Sequence, residues 1–346
     1  MPRWVGDCVM ATPMLRSLRA HLGRDGRITA VMPPVMGDLL AGTGWIDDSI
    51  AYDRHGDDPS IGFKVAAAAL RRDPADVALV LPNSLSAAAL PFMGRIRRRV
   101  GYGTGLRRMF LTDVVRSHGP RRRAGDITPP RAFMELAAEI GVPSGPLSLE
   151  LVATPADQER ADAVIADLFP GRHGPLIVLN DNSSNGSARS WGVEKFADLA
   201  TWLVEEVPGC RVLMHCGPKD RQQARAVVAR AKSPSIRGLG DLVAQPLSLS
   251  KGIYARAVVA VSSDSGPRHI AAAFGVPTVA LIGPTEPLSG RSDERHCVEI
   301  RLELPCSPCG EQICPLVHHD CMRLIDVERV GQAVLDLLRT RNPVEA

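Results

Sequence analysis

The sequence predicts an α/β protein of two doubly wound domains whose parallel sheets face each other across a ligand cleft. The chain has 346 residues, about twice the ~150 residues that a single domain typically contains. Apolar runs alternate with helical patterns throughout, which is typical of β-α-β units. Residues 170–175 are rich in proline and glycine, and the pattern restarts after them. We therefore expect one domain over residues 1–158, a second over 159–325, and a final helical segment over 326–346.

The first half of the chain contains short apolar runs separated by amphipathic stretches. The apolar runs predict strands at Arg27–Met32, Asp48–Tyr52 and Asp76–Leu81. Apolar residues at helical spacing predict helices at Ala11–Leu22, Val35–Leu40 and Ile61–Arg71. Thr154 has the character of a helix cap, because Pro155 and then acidic residues follow it, so a helix should extend to about Phe169.

The second half repeats the alternation. Strands are predicted at Leu176–Leu179, Arg211–His215, Ala257–Val261 and Thr278–Ile282. Helices are predicted near Glu194–Glu206, Arg221–Ala231, His269–Phe274 and Asp326–Arg339.

The composition narrows the class of protein. Hydrophobic residues make up 45% and charged residues 23% of the chain, which is typical of a globular protein and excludes a disordered one. The longest uncharged stretches fall short of the ~20 apolar residues that span a bilayer. The N-terminus carries Asp7 where a signal peptide would be apolar. We expect a cytoplasmic protein without a transmembrane segment.

The most informative segment is the turn at Asp264, Ser265 and Gly266. It follows a predicted strand and opens a helix, so backbone N–H groups should point into the cleft. Such a helix start can bind phosphate through these donors and the helix dipole. An ordinary helix cap by Asp264 or Ser265 explains the same turn equally well.

Motifs along the chain resemble a known family, the ADP-heptose:lipopolysaccharide heptosyltransferases, and heptosyltransferase II in particular. The matching pieces, in order, are residues 4–7 with 10–16, 99–102 with 111–113, 190–191, 264–267 with His269, 283–287, and the cysteine segment 306–322. The resemblance implies a GT-B type fold of two Rossmann-like domains, the first for the acceptor and the second for the nucleotide sugar, with the last helix packing back across their junction. It also implies an inverting, metal-independent transfer of heptose from ADP-heptose to the lipopolysaccharide inner core, without a cofactor.

Several residues match the family's functional positions. Asp7 falls on the proposed general base, a role in which a carboxylate takes the proton of the acceptor hydroxyl; a helix cap is the alternative. Arg189 stands where the family usually has a lysine that would meet the leaving diphosphate, unless it is a solvated surface arginine. His269 would hold a phosphate oxygen or a sugar hydroxyl, or else pack in the core. The same resemblance assigns Ser184, Ser187 and Thr285 to the donor, although loop serines often only make turns.

An extra cation, Arg268, stands where the family tends to have methionine; it either adds charge near the diphosphate or reflects drift. Eleven arginines also lie between Arg95 and Arg131, against two aspartates. Such a concentration suits an anionic partner, for which we single out Arg97, Arg98 and Arg107 as acceptor-binding residues at the inner-membrane surface. A solvated arginine-rich loop is the alternative. No nucleic-acid recognition element accompanies the arginines.

Four cysteines form a spaced cluster at Cys306, Cys309, Cys314 and Cys321. The spacing could hold a structural metal ion, but structural thiols or a disulfide fit it as well. No metal is expected in catalysis.

Family members normally have a short apolar strand before the glycine-aspartate loop, whereas here the loop begins at residue 3. The first strand of the first sheet is therefore missing from this sequence, either because the natural product starts upstream, as we expect, or because part of the acceptor domain has been lost. Two alternatives to a heptosyltransferase stay open on the sequence: a glycosyltransferase for another nucleotide sugar, and a non-catalytic nucleotide-sugar-binding remnant.

Overall fold

The computed structural model describes residues 1–116, 128–181, 187–286 and 297–341. These residues form two compact units, unit 1 up to Glu150 and unit 2 from Leu151 onward. The division lies somewhat before the expected boundary at residue 158, because the helix that begins at Pro155 belongs to the second unit.

Unit 1 follows the predicted alternation. Its elements are α1 (Val5–Met10), α2 (Thr12–Leu22), β1 (Thr29–Met32), α3 (Pro34–Leu40), β2 (Asp48–Ala51), α4 (Phe63–Arg72), β3 (Val77–Val80), α5 (Leu85–Met93), β4 (Arg98–Tyr102), β5 (Asp113–Val115) and α6 (Pro129–Ala138). Short 3₁₀ helices occupy Pro59–Ile61 and Gly105–Phe110. The predicted strands and helices are confirmed within two residues at each end, while α1, α5, α6, β4 and β5 were not predicted.

The strands of unit 1 form two separate parallel sheets among the described residues. One pairs β1 with β2, and the other has the order β3-β4-β5. Helices α4 and α5 pack together through a core that includes Ala66, Leu70 and Leu90. Because β3, β4 and β5 run parallel, the carboxyl ends of β3 and β4 lie at the same edge of the three-stranded sheet, which we call its carboxyl edge. The loop that leads into β4 lies at the opposite edge.

Unit 2 contains a larger sheet flanked by helices. The elements of this unit are α7 (Pro155–Leu168), β6 (Leu176–Asn180), α8 (Val193–Glu206), β7 (Arg211–His215), α9 (Arg221–Ala231), β8 (Ile236–Gly238), α10 (Leu247–Arg256), β9 (Val259–Ser263), α11 (Gly266–Ala273), β10 (Thr278–Ile282), β11 (Cys297–Arg301), α12 (Asp320–Arg323) and α13 (Val327–Arg341). Further 3₁₀ helices lie at Ser187–Arg189 and Leu239–Asp241.

All six strands of unit 2 run parallel in the order β11-β10-β9-β6-β7-β8. Every residue of β6, β9 and β10 is buried, which explains their nearly continuous apolar sequences. The bounds of β7, β10 and α9 agree with the prediction. Strand β9 extends two residues beyond Val261, because Ser262 and Ser263 remain inside the sheet.

Close packing positions two helices on this sheet. At Gly252 of α10, a Cβ atom would stand 2.3 Å from the carbonyl oxygen of Asp157 in α7, so only glycine permits this approach. At Gly331 of α13, a Cβ atom would stand 2.4 Å from the Trp202 ring of α8. Helix α13 packs against α8, β9 and β10, all within unit 2; its expected contact across the junction stays a prediction.

Candidate active site

The strand order of unit 2 reverses between β6 and β9, which are neighbours in the sheet. In doubly wound sheets, ligands bind in the crevice outside the carboxyl ends of the strands at such a switch point. Asp181 follows β6 directly, and Asp264 follows β9 directly. The turn that the sequence analysis singled out therefore lies at the position where this fold places its ligand.

Helix α11 begins at Gly266, three residues before the predicted His269. Ser265 occupies the N-cap position with extended backbone, but its side chain does not cap the helix. Its hydroxyl instead donates to the Oδ1 atom of Asn180 at 3.2 Å. The ordinary side-chain cap is therefore not formed by Ser265, and the start of α11 retains the donor character of a phosphate-binding helix terminus.

Arg189 lies beside this turn. Its Nη1 atom donates to the carbonyl oxygen of Asp264 at 3.0 Å, and the side chain is partly buried. Arg189 is thus not a solvated surface arginine, and the structure brings together two segments that are 75 residues apart in sequence. The guanidinium lies next to the start of α11, where an anion would be stabilised both by its charge and by the helix dipole.

Asp264 is a partly buried carboxylate held in its charged form. Burial by itself raises the pKa of Asp264, but Arg268, the Thr285 hydroxyl, His269 and Arg189 outweigh it and lower the pKa. The Nε atom of Arg268 lies 3.1 Å from Oδ1 of Asp264, one helical turn away. His269 is buried close to this pair rather than exposed.

Arg268 itself is 1% exposed, and a second carboxylate oxygen, of Glu299 in β11, lies 3.9 Å from its Nη1 atom. The residue that replaces the family's methionine is therefore a buried cation between two carboxylates. It fixes Asp264 and does not present a free charge to the crevice.

Asp181 is a site residue that sequence reasoning missed. Its carboxylate accepts hydrogen bonds from Ser190 Oγ at 2.7 Å, Trp191 N at 3.1 Å, Gly192 N at 3.2 Å and Gln223 Nε2 at 2.5 Å. Burial raises the pKa of Asp181, and the hydrogen bonds from residues 190–192 oppose that rise. Asp181 anchors the segment that follows Arg189. The signal in the sequence was an Asn-Asp pair placed directly after the apolar run Leu176–Leu179.

A buried chain of hydrogen bonds extends from the same crevice into the core. Asn180 contacts the Nδ1 atom of His215 at 3.2 Å and donates to its carbonyl oxygen at 3.0 Å, and His215 Nε2 lies 2.9 Å from Ser250 Oγ. Burial lowers the pKa of His215 to about 4, so the ring is neutral at physiological pH. With the Ser265 bond to Asn180, this chain fixes the residue that precedes α11.

Residues 302–319, which we call the cysteine loop, connect β11 to α12 and contact both donor-site segments. On one side, Gly310 N donates to Pro284 O and Ser307 Oγ donates to Gly283 O, each at 2.7 Å. On the other, Ala188 N donates to Gln312 O at 3.1 Å and His319 Nε2 lies 2.7 Å from Ala188 O. The loop therefore bridges the segments of Thr285 and Arg189.

The four clustered cysteines are free thiols in this loop and at the start of α12. Burial raises the pKa of Cys321, and Cys309, Cys306 and Cys314 add to the rise because their charges act on it. Within the residues described, no three His, Cys, Asp or Glu side chains are arranged to hold a metal ion. A structural metal at these cysteines stays a prediction.

Asp7 lies in the first turn of α1 in unit 1, with Trp4 at the N-cap position. Its carboxylate is thus not the cap of this helix, which removes the simplest structural explanation for it. An acidic group in the first turn is favoured by the helix dipole.

The structure separates the three arginines singled out for the acceptor. Arg107 is 2% exposed, follows the carboxyl end of β4, and donates from Nη1 to Oδ1 of Asn83 at 2.6 Å. Arg98 begins β4 at the other edge and pairs with Asp113 at 3.0 Å. Arg97 lies at that same edge, exposed to solvent. Only Arg107 stands at the edge where ligands of such sheets bind.

Two remaining predictions concern serines near Arg189. Ser184 lies outside the described residues, and Ser187 begins the short 3₁₀ helix that contains Arg189. Their roles in donor binding stay predictions.

Two α/β units, each built on parallel strands, form the fold of a GT-B type glycosyltransferase. The family can be stated as well: the chain belongs to glycosyltransferase family 9, the heptosyltransferases, whose model matches residues 65–319, about three quarters of the chain. The fold and the enzyme class predicted from the sequence are both confirmed.

Relatives agree with this assignment. Lipopolysaccharide heptosyltransferase 2 of Salmonella typhimurium is 27% identical over 294 residues, which cover 83% of this chain and 82% of that protein. The structure of Escherichia coli ADP-heptose lipopolysaccharide heptosyltransferase II superposes with a TM-score of 0.79 at 25% identity, covering 98% of this chain and 97% of the other. A family 9 glycosyl transferase from Veillonella parvula shares the fold, with a TM-score of 0.80 at 22% identity and coverage of 98% and 96%. No helix among the described residues is long and apolar enough to cross a bilayer.

Proposed function

We propose that this enzyme transfers heptose, with inversion, from ADP-heptose to the inner core of a lipopolysaccharide precursor, at the cytoplasmic face of the inner membrane. The observation that carries the proposal is the contact between Arg189 and the turn before α11, at the switch point of the unit 2 sheet. The positive charge of Arg189 beside the N-terminus of α11 can bind the negatively charged diphosphate of a nucleotide sugar. The Salmonella typhimurium and Escherichia coli relatives are both named lipopolysaccharide heptosyltransferases.

In the proposed donor complex, the N–H groups at the start of α11 bind the diphosphate, with Gly266 permitting close approach of the phosphate to the backbone. Arg189 stabilises the negative charge that develops on the leaving ADP as the bond to the sugar breaks. Asp264 holds Arg189 through its carbonyl oxygen, while its carboxylate is committed to Arg268. His269 and Thr285 support the Asp264 carboxylate electrostatically and so keep the turn in place.

In the proposed acceptor complex, Asp7 takes the proton from the attacking hydroxyl. Arg107 offers a buried positive charge at the carboxyl edge of the β3-β4-β5 sheet, where an anionic group of the acceptor would bind. Its Nε and Nη2 atoms are buried and have no hydrogen-bond partner among the described residues. The exposed positive charge of Arg97 attracts the anionic acceptor. Arg98 contributes less to this attraction, because Asp113 already pairs with its charge.

The test is the variant Asp7→Asn, compared with Asp25→Asn as a control that removes an exposed acid of the same unit. We expect Asp7→Asn to lower kcat by roughly 10² or more, as for loss of a general base, and to leave ADP-heptose affinity unchanged. Asp25→Asn should leave both unchanged. A kcat within a few-fold of the parent would remove Asp7 from the mechanism.

Donor identity is tested separately by the rise in unfolding temperature with ADP-heptose, ADP-glucose and UDP-sugars, since a bound ligand stabilises in proportion to its affinity. A UDP-sugar that stabilises more than ADP-heptose would contradict the proposed donor.

A further inference from the structure

We propose that unit 1 carries a membrane-binding face, formed by α5, the 3₁₀ helix Gly105–Phe110 and the arginines beside them, which binds the phosphates of an anionic lipid bilayer. This inference rests on the proposed function only in that a lipid-borne acceptor requires the enzyme at a membrane. Its test uses neither donor nor acceptor.

The apolar part of this face consists of large side chains that the fold leaves in solvent. Leu85 and Phe92 lie seven residues apart on α5, on one side of the helix, and are about half exposed. Leu106 and Met109 lie three residues apart on the 3₁₀ helix and are 73% and 75% exposed. Single exposed apolar residues are ordinary, but two contacting elements that both expose several indicate an interaction surface.

The two elements are joined by aromatic contact. The rings of Phe92 in α5 and Phe110 in the 3₁₀ helix pack edge to face with centroids 5.3 Å apart. The guanidinium of Arg99 lies over the Phe92 ring at 5.4 Å. The apolar and basic parts therefore belong to one continuous surface.

The basic part surrounds a cavity of about 450 Å³ beside the end of α5. Four arginines line it, together with Phe92, Met93 and Ile96: Arg71, Arg95, Arg97 and Arg99. Within the described chain none of these four pairs with a carboxylate. The hydrogen bonds of Arg71 and Arg99 go to backbone carbonyl oxygens, those of Met93, Ile96, Arg97 and Phe110.

Other arginines of unit 1 do pair with carboxylates. Arg98, between two of the four, pairs with Asp113, and Arg27 in the same unit pairs with Asp48 and Asp73. Arg95 also has a positive φ of 62°, a conformation that favours glycine over arginine. The cavity thus concentrates uncompensated positive charge, at some conformational cost, next to exposed apolar side chains.

An anionic bilayer fits this combination. Apolar side chains enter the boundary between headgroups and acyl chains, while nearby arginines bind lipid phosphates, and each cation near the surface strengthens binding roughly fivefold. An acidic protein would use the charges but would leave Leu106 and Met109 in solvent.

The experiment is co-sedimentation of the full chain with vesicles of phosphatidylglycerol and phosphatidylcholine in equal parts, and with phosphatidylcholine alone. We expect binding to the anionic vesicles only. Arg95→Gln with Arg97→Gln should lower the partition coefficient roughly twentyfold, about fivefold for each arginine. The matched control is Arg72→Gln, which removes an exposed charge next to Arg71 but does not line the cavity.

The apolar part is tested with Leu106→Ser and Met109→Ser, which are the most exposed positions of the face and so least able to affect folding. Val243→Ser is the control, because Val243 is 94% exposed in unit 2. We expect the first two to weaken vesicle binding and the third to leave it unchanged.

Equal binding to neutral vesicles, equal losses in the controls, or parental binding by the arginine and apolar variants would each overturn the proposal. Undiminished binding of the Leu106→Ser and Met109→Ser variants with strong competition by polyglutamate would overturn it in favour of an acidic protein partner. Failure of heptose transfer by the parent chain would contradict the proposed function and leave the vesicle result standing.

Discussion

Both units are built on parallel sheets, but the sheet of unit 2 is larger and more deeply buried than the sheets of unit 1. Among the described residues of unit 2, six strands form one continuous sheet, and the neighbouring strands β10, β9 and β6 are wholly buried. In unit 1, five strands divide into two sheets, and β2 has no fully buried residue. The donor-site segments follow the deepest strands of unit 2. In unit 1, exposed apolar side chains instead lie beside arginines that have no carboxylate partner among the described residues. The more deeply buried sheet therefore carries the candidate donor site, and the shallower sheets carry the proposed membrane-binding face.

The largest expected effect breaks a buried ion pair of unit 2. Lys251 is 0% exposed, and its Nζ atom lies 2.9 Å from Asp157 and 3.1 Å from the carbonyl oxygen of Val152. Lys251→Met leaves a buried carboxylate without its cation, which we expect to lower the free energy of unfolding by about 3–5 kcal/mol. Urea denaturation measures it. Adding Asp157→Asn should restore part of the loss, since it removes the stranded charge; no recovery would contradict the electrostatic explanation.

The next effect is a loss of stability at acid pH. The pKa of His215 is lowered to about 4 in the folded state from an ordinary value of 6.5, so the folded protein binds fewer protons than the unfolded chain between these values. The stability of unit 2 is therefore full above pH 6.5 and falls by about 3 kcal/mol as the pH drops to 4. Urea denaturation across this range measures the slope. His215→Gln should flatten it, and an unchanged slope would exclude His215 as its source.

Two aspartates titrate differently from His215. The lowered pKa of Asp264 adds a loss of stability only below its ordinary value of 3.8. The raised pKa of Asp181 acts in the opposite direction, because its stabilisation is lost as the pH rises. The three groups therefore change the stability in different pH ranges or in opposite directions, which distinguishes their contributions.

A matched pair of leucines compares the two sheets directly. Leu213 in β7 is 0% exposed, while Leu79 in β3 is only partly buried. We expect Leu213→Ala to cost about 2–5 kcal/mol and Leu79→Ala to cost about 1 kcal/mol, because less apolar area is lost at the second site. Thermal unfolding of both variants checks this. Equal losses would mean that the sheets are equally well packed.

The smallest effect is expected for an exposed ion pair of unit 1. Arg98 and Asp113 are both partly exposed, so Arg98→Gln should change the free energy of unfolding by at most about 1 kcal/mol. Urea denaturation at low and high salt measures the change. A loss comparable to that of Lys251→Met would contradict the difference between the units.

Sequence patterns predicted best those elements whose limits are local. Strand β10 is flanked by Pro277 and Gly283, and helix α9 by Asp220 and Lys232, and the bounds of both agree with the prediction. Helix α10 was not predicted, because Ser250, Lys251 and Gly252 obscure its apolar pattern. Their burial is explained only by long-range contacts, of Ser250 with His215 and of Lys251 and Gly252 with α7. The identity of the site residues followed from ordered motifs. The pairing of Arg268 with Asp264 is local, at i and i+4, but the burial that gives it its effect comes from the surrounding fold. The bond from Gln223 to Asp181 joins residues 42 apart in sequence, which no local pattern encodes.

The cysteine loop has a practical consequence for following the reaction. Cys309 is the exposed one of eight free cysteines, and the backbone of its neighbour Gly310 is bonded to Pro284, beside Thr285. A fluorescent label on Cys309 would thus sit on a segment tied to both Arg189 and Thr285. A label there would report any movement of these two segments. The chain therefore already contains an exposed attachment point for an optical probe beside the candidate donor site.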